Sequence, residues 1–215
     1  MCWSATADLV AGGAVAGVGV ACVARVRSGR ELPLAALPLL LGAHQIVESA
    51  VWESGGGSGP ATIAWAVIAL PLLAVWVPAG VLCACPPHAR PRVYALLAVG
   101  AATAAMLAYG LVTGPVTAEI RGRTVGYTFD LPLTPLLIAG YLLATVGSLL
   151  VSGDRWLLML GTLVAVGALG CWVLWRLEVV STWCALAAVC SLVLFRWVGT
   201  RPASVPTARG PAARH

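Results

Sequence analysis

The chain has 215 residues, of which 60% are apolar and only 10% charged, where an ordinary soluble domain carries about 25% charged residues. Its net charge of +5 rests on thirteen basic side chains, all of them arginine. These stand at the ends of apolar runs rather than clustered with aromatics on a polar surface, which excludes a nucleic-acid face.

A mean hydropathy of +0.93 makes lipid the expected solvent and membrane lipids the expected partners. A helix needs about 20 apolar residues to cross a hydrocarbon core about 30 Å thick. Seven runs qualify, at residues 5–26, 34–52, 62–83, 93–112, 133–151, 156–175 and 179–198. They are too long and continuous for barrel strands. The reading is an all-α bundle of seven transmembrane helices in a single domain, 1–198, with a tail at 199–215. The short gap Arg176-Leu-Glu178 leaves six spans as the alternative.

The first run opens with Met1-Cys2-Trp3-Ser4 and has no basic segment ahead of it, so no signal peptide is expected. Asp8 lies one turn inside this run, where a carboxylate complements the helix dipole; Ser4 and Thr6 precede it.

The second run holds the most informative group. His44 and Glu48 stand i to i+4 on one helix face with Gln45 beside them. Counting inward from Trp52, Glu48 lies about 6 Å deep and His44 about 12 Å deep. Ionisable groups at such depth cost several kcal/mol unless they face a partner or a wet cavity, so they mark function. A buried polar clamp that sets helix registry is the plainer reading. Pro33, Pro38, Pro71 and Pro78 are expected to break or kink helices two and three.

Between the fourth and fifth runs, residues 116–130 alternate β-branched or aromatic with polar residues around Arg121-Gly122-Arg123. This is a hairpin pattern with a Gly-centred turn. An isolated hairpin is marginal in water, so it is expected to pack on the outer mouth of the bundle, either as a structured loop or as a lid.

Alternate connections sort the arginines by side. Arg25, Arg27, Arg30, Arg90, Arg92, Arg155, Arg196, Arg201, Arg209 and Arg214 fall on one side; Arg121, Arg123 and Arg176 fall on the other. The richer side is expected to be cytoplasmic, with the N-terminus outside, the C-terminus inside, and the protein in the plasma membrane. The Pro/Ala-rich tail reads as disordered.

With that orientation, the polar residues within spans gather in the outer half: Asp8, Tyr109, Tyr141, Cys171, and Ser181, Thr182, Trp183 and Cys184 at the start of the last run. Most of the nine tryptophans suit an interfacial belt. Cys83-Ala-Cys85 lacks the spacing of a metal or redox motif. Cys2 and Cys184 fall near the outer face, where a disulfide is permitted. Mixed metal ligation by Cys2, Cys184, His44 and Glu48 looks strained because His44 lies deeper, and packing cysteines are the simpler reading. No metal or cofactor is assigned.

Three stretches carry a resemblance: Met-Cys-Trp-Ser-Ala at the start, Gln45-Ile-Val-Glu48-Ser-Ala-Val-Trp52, and Trp183-Cys184-Ala-Leu-Ala-Ala. Together they resemble a family of uncharacterised bacterial polytopic membrane proteins that begin Met-Cys-Phe-Ser-Ala. The resemblance runs to about residue 198 and implies no activity. It implies that Cys2, Gln45, Glu48, Trp52, Trp183 and Cys184 form one shared pattern. The chain departs from it at Trp3 and has His44 where glutamine is as frequent, which favours Glu48 over His44 as the central group.

Three functions fit. One is a membrane-embedded enzyme acting on a lipid or isoprenoid, with Glu48 as acid or base and His44 or Gln45 setting its protonation. Another is a sensor or assembly protein with a structural polar clamp. The third is a proton-coupled transporter with a Glu48–His44 relay; the lack of an internal repeat weighs against it.

Overall fold

The computed structural model describes residues 4–122, 124–129, 131, 133–174 and 179–201, and the side chains of these outside 171–185. Cys2, the side chains of Cys171, Ser181, Thr182, Trp183 and Cys184, and tail residues 202–215 lie outside the described residues.

Ser4 opens α1 (Ala5–Ala24). It sits in extended backbone and its hydroxyl oxygen accepts the Ala7 N–H, satisfying one donor that the first turn leaves over. The second leg is built from α2 (Leu32–Ala35) and α3 (Leu37–Glu53). Each piece carries a proline in its first turn, where the missing N–H costs nothing. Ala36 between them stays in the right-handed helical region, so the leg continues with only a local break. At that break the Trp76 indole N–H donates to the Pro33 carbonyl at 2.8 Å.

The third leg is α4 (Pro60–Val67), a π-helical turn (Ile68–Leu72) and α5 (Leu73–Ala84). Pro71 lies inside the π turn. A proline removes one helical hydrogen bond and presses on the carbonyl four residues back, and the wider turn accommodates both effects. Pro78 sits within α5 without ending it. Then come α6 (Arg90–Thr113), α7 (Thr134–Leu142), a second π turn (Leu143–Gly147), α8 (Ser148–Leu150), α9 (Arg155–Leu174) and α10 (Val179–Gly199).

Each apolar run predicted from sequence is helical. Four legs are long and apolar enough to cross a membrane: Ala5–Ala24, Leu32–Glu53, Pro60–Ala84 and Arg90–Thr113. The apolar helices Thr134–Leu150, Arg155–Gly170 and Leu186–Gly199 are shorter over the described residues. Val10, Val20, Ile63, Leu136 and Leu169 point outward. An apolar girdle of this kind is stable in lipid and a liability in water.

The hairpin is present as the sequence pattern predicts. Strands β1 (Val116–Arg121) and β2 (Thr124–Phe129) pair antiparallel, Val116 opposite Phe129 and Arg121 opposite Thr124. Gly122 at the turn has φ +65°, a conformation that glycine adopts without penalty. It packs as a structured loop on the bundle: Ala118 and Val125 cover Val51, and Val116 covers Trp65 and Ala66. Gly57 and Ala118 exchange two backbone hydrogen bonds, 2.8 and 2.9 Å long, so the 55–59 loop lines the edge of the hairpin.

At the opposite end of the bundle the chain is tied by Asp154. One carboxylate oxygen accepts the N–H groups of Trp156 (2.8 Å) and Leu157 (3.3 Å), capping α9. The other accepts the Trp197 indole N–H (3.2 Å) and pairs with Arg201 (3.3 Å). Arg27 donates to the Arg201 carbonyl at 2.9 Å, joining the end of α1 to the end of α10. Helices α1 and α10 pack against each other, and both contact α3.

Candidate functional site

The seam between α1 and α3 is the closest helix approach in the site. A Cβ on Gly42 would lie 2.6 Å from the Ala16 nitrogen, and one on Gly19 would lie 2.6 Å from the Leu39 nitrogen. A Cβ on Gly12 would meet the Gly42 carbonyl and the Ile46 nitrogen at 2.9 and 3.0 Å. Small residues let membrane helices approach backbone to backbone. These contacts set an antiparallel register, Gly19 against Leu39, Ala16 against Gly42, and Gly12 between Gly42 and Ile46. One turn further, Asp8 comes level with Glu48 and Ser49.

That level is wholly buried. Asp8 and Glu48 are 0% exposed and Gln45 is 2% exposed. None of the three is left free. Ser49, which the sequence pattern passes over, is buried beside them and donates to the Ile46 carbonyl at 2.8 Å. The arrangement requires compensation, because an unpaired carboxylate in such surroundings costs several kcal/mol. Asp8 stands in the first turn of α1, where a carboxylate complements the helix dipole. Ser4 supplies the cap, and the Asp8 side chain is wholly buried.

His44 separates from this group. At about 100° per residue, Glu48 lies about 40° from His44 on the α3 wheel and Gln45 about 60° further on. His44 is thus turned toward α4, where its ring meets the Trp65 indole at 5.0 Å between centroids. Trp65 in turn stacks flat on Tyr127 of β2, 3.5 Å and 6° apart. Among the described residues the buried His44 Nε2 has no hydrogen-bond partner. His44 and Glu48 stay on one side of α3, with the His44 ring set against Trp65.

The two tyrosines also leave the expected pocket. Tyr109 is 63% exposed on the outward face of α6. Tyr141 is turned inward, but its hydroxyl donates to the Ala69 carbonyl in the first π turn at 2.8 Å, away from the carboxyl groups. It borders an interhelical cavity of about 80 Å³ that lies between α3, α5, α9 and α10. Leu37 and Leu41 line that cavity from α3.

The family model for DUF6629 matches residues 1–209. The chain belongs to this family of unknown function. The match agrees with the sequence resemblance to an uncharacterised family and spans every element named above. No curated protein and no solved structure matches the chain.

Within this DUF6629 chain, Ser181, Trp183, Cys184 and Cys2 were expected at the same outer level, and their side chains lie outside the described residues. Among the described residues, no group of three His, Cys, Asp or Glu side chains is placed to hold a metal ion. Cys22 and Cys190 are buried as packing residues and Cys83 is exposed. Cys85, just beyond α5, bonds the Leu82 carbonyl (3.5 Å), and burial pushes its thiol pKa up while Arg90 opposes the shift. Trp65 and Tyr127 escaped the sequence reading because nothing local signals stacking between residues so far apart in the chain.

Proposed function

We propose that the protein spans the cell membrane seven times, N-terminus outside and C-terminus cytoplasmic, and acts on a lipid or isoprenoid by acid–base chemistry at Asp8, Gln45 and Glu48. Two carboxyl groups on facing helices supply a proton donor and a proton acceptor, and the Gln45 amide orients the group between them. The observation that carries this reading is the burial of all three side chains at one level of the α1–α3 seam. Membrane depth selects a substrate already dissolved in the bilayer. The ends of the helices support the topology: Arg25, Arg27, Arg90, Arg155, Arg196 and Arg201 sit at the end opposite the hairpin.

The test compares total lipid extracts of cells expressing the wild-type protein and Glu48→Gln by mass spectrometry. A lipid species altered by the wild type and restored to background by a stably folded Glu48→Gln protein supports the reading. Identical lipid profiles overturn it.

A structural clamp is the second reading, favoured by the glycine-packed seam at the same level. It requires Glu48→Gln to lower thermal stability in detergent and a neighbouring change, Asp8→Asn, to restore it. The proton relay of the transporter reading loses its partner, since His44 is turned to Trp65 rather than to Glu48.

A further inference from the structure

The cavity beneath the carboxyl pair has a lining suited to one kind of occupant. Leu37 and Leu41 of α3, Leu73 of α5, Leu160 of α9, and Ala187 and Cys190 of α10 form its walls. Its polar residues are Tyr141 and Thr145, and both hydroxyl protons are committed to backbone: Tyr141 to the Ala69 carbonyl (2.8 Å) and Thr145 to the Tyr141 carbonyl (2.7 Å). A buried water needs two to four polar partners, and an apolar cavity without them stays dry and takes up hydrocarbon. At about 80 Å³ the space is too large to leave empty without loss of dispersion contacts along its walls.

Two further features locate it. On the α3 wheel Leu37, Leu41, Gln45 and Glu48 follow one another at spacings of four, four and three residues, so they form one continuous stripe. Glu48 stands seven residues beyond Leu41, about 10 Å along the axis. The walls also adjoin both π turns: Leu73 follows the first and Thr145 lies in the second. Such turns widen a helix locally and recur at functional sites.

We infer that this cavity is a slot for a stretch of a single hydrocarbon chain. The slot stands on its lining and does not rest on the acid–base reading. The chain comes either from an isoprenoid or from an acyl lipid, and both share the chemistry of the walls.

The experiment uses the full chain in lipid nanodiscs, with farnesol and palmitate as separate probes. The readouts are thermal stability and the labelling rate of Cys190 by an apolar thiol reagent, followed by peptide mass spectrometry. Either probe is expected to raise the melting temperature and slow Cys190 labelling several-fold. Response to farnesol alone identifies an isoprenoid, and response to palmitate alone an acyl chain. Response to both identifies a general single-chain slot. Ala187→Leu fills the space and is expected to abolish the response while keeping the protein folded; Thr145→Val, which keeps the volume, is expected to retain it. Failure of both probes to protect Cys190, or an undiminished response in Ala187→Leu, overturns the slot. Lipid profiles that Glu48→Gln leaves identical to the wild type, with the farnesol response of the wild type intact, overturn the acid–base reading alone.

Discussion

Tyr127 lies flat on Trp65, 3.5 Å between ring centroids and 6° between planes, so β2 of the hairpin is fastened to α4 through two stacked rings. His44 of α3 meets the same indole, tilted by 40°. The hairpin, α4 and α3 thus share one aromatic column at the end of the bundle that carries the carboxyl pair. An exposed two-stranded hairpin is marginal by itself, and this column adds to the packing on Val51 and the backbone bonds to Gly57 that hold it.

Removing the upper ring should release the hairpin. Tyr127→Ala loses a stacked pair worth about 0.5–1.5 kcal/mol beyond its buried area. Trypsin cleavage after Arg121 in reconstituted vesicles is expected to speed up several-fold in Tyr127→Ala. Tyr127→Phe keeps the ring and should cut at close to the wild-type rate. Equal cleavage in all three proteins would show that the strand pairing alone orders the hairpin.

The α1–α3 seam yields a paired prediction. Gly42→Ala places a methyl group 2.6 Å from the Ala16 nitrogen, and overpacking of this kind typically costs about 1–3 kcal/mol. Gly17→Ala meets nothing within 4 Å and should stabilise α1 by about 0.5–1 kcal/mol through helix propensity. Melting temperatures in detergent should therefore move in opposite directions for the two variants.

Asp154 acts through two oxygens, one capping α9 and the other holding the Trp197 indole N–H and Arg201. Asn caps about as well as Asp, so Asp154→Asn should lose only the contacts of the second oxygen, to Trp197 and Arg201. Asp154→Ala should lose the cap as well, a further cost of about 0.5–2 kcal/mol. A denaturation series that ranks Asn and Ala equally would remove the cap from the account.

The proposed topology rests on the segregation of arginine. A cysteine introduced in the 55–59 loop should react with an impermeant maleimide added to intact cells. A cysteine introduced at position 207 should react only after the membrane is opened. The reverse pattern would invert the proposed orientation.

The helices were legible from the sequence because lipid leaves the backbone no outside partner, so every long apolar run must satisfy its hydrogen bonds along itself. The hairpin was legible for an equally local reason: strict alternation of side chains around Gly122 suits paired strands and no helix. The depth of Gln45 and Glu48 came from simple counting at 1.5 Å per residue.

Facing was another matter. In a water-soluble helix the polar side marks the surface, but here the lipid-facing and core-facing residues are equally apolar, so the 3.6-residue period carries little information. Tyr109 and Tyr141 have the same composition and comparable depth, yet one points outward and the other into the bundle. His44 and Glu48 share a helix face by spacing, yet only tertiary packing assigns the first to Trp65 and the second to the seam with α1. Asp8 meets the level of Glu48 because Gly12, Gly19 and Gly42 let two backbones touch. The residue types determined by themselves that carboxyl groups would be buried in this membrane protein; the register of two glycine-lined helices decided which of them would be buried together.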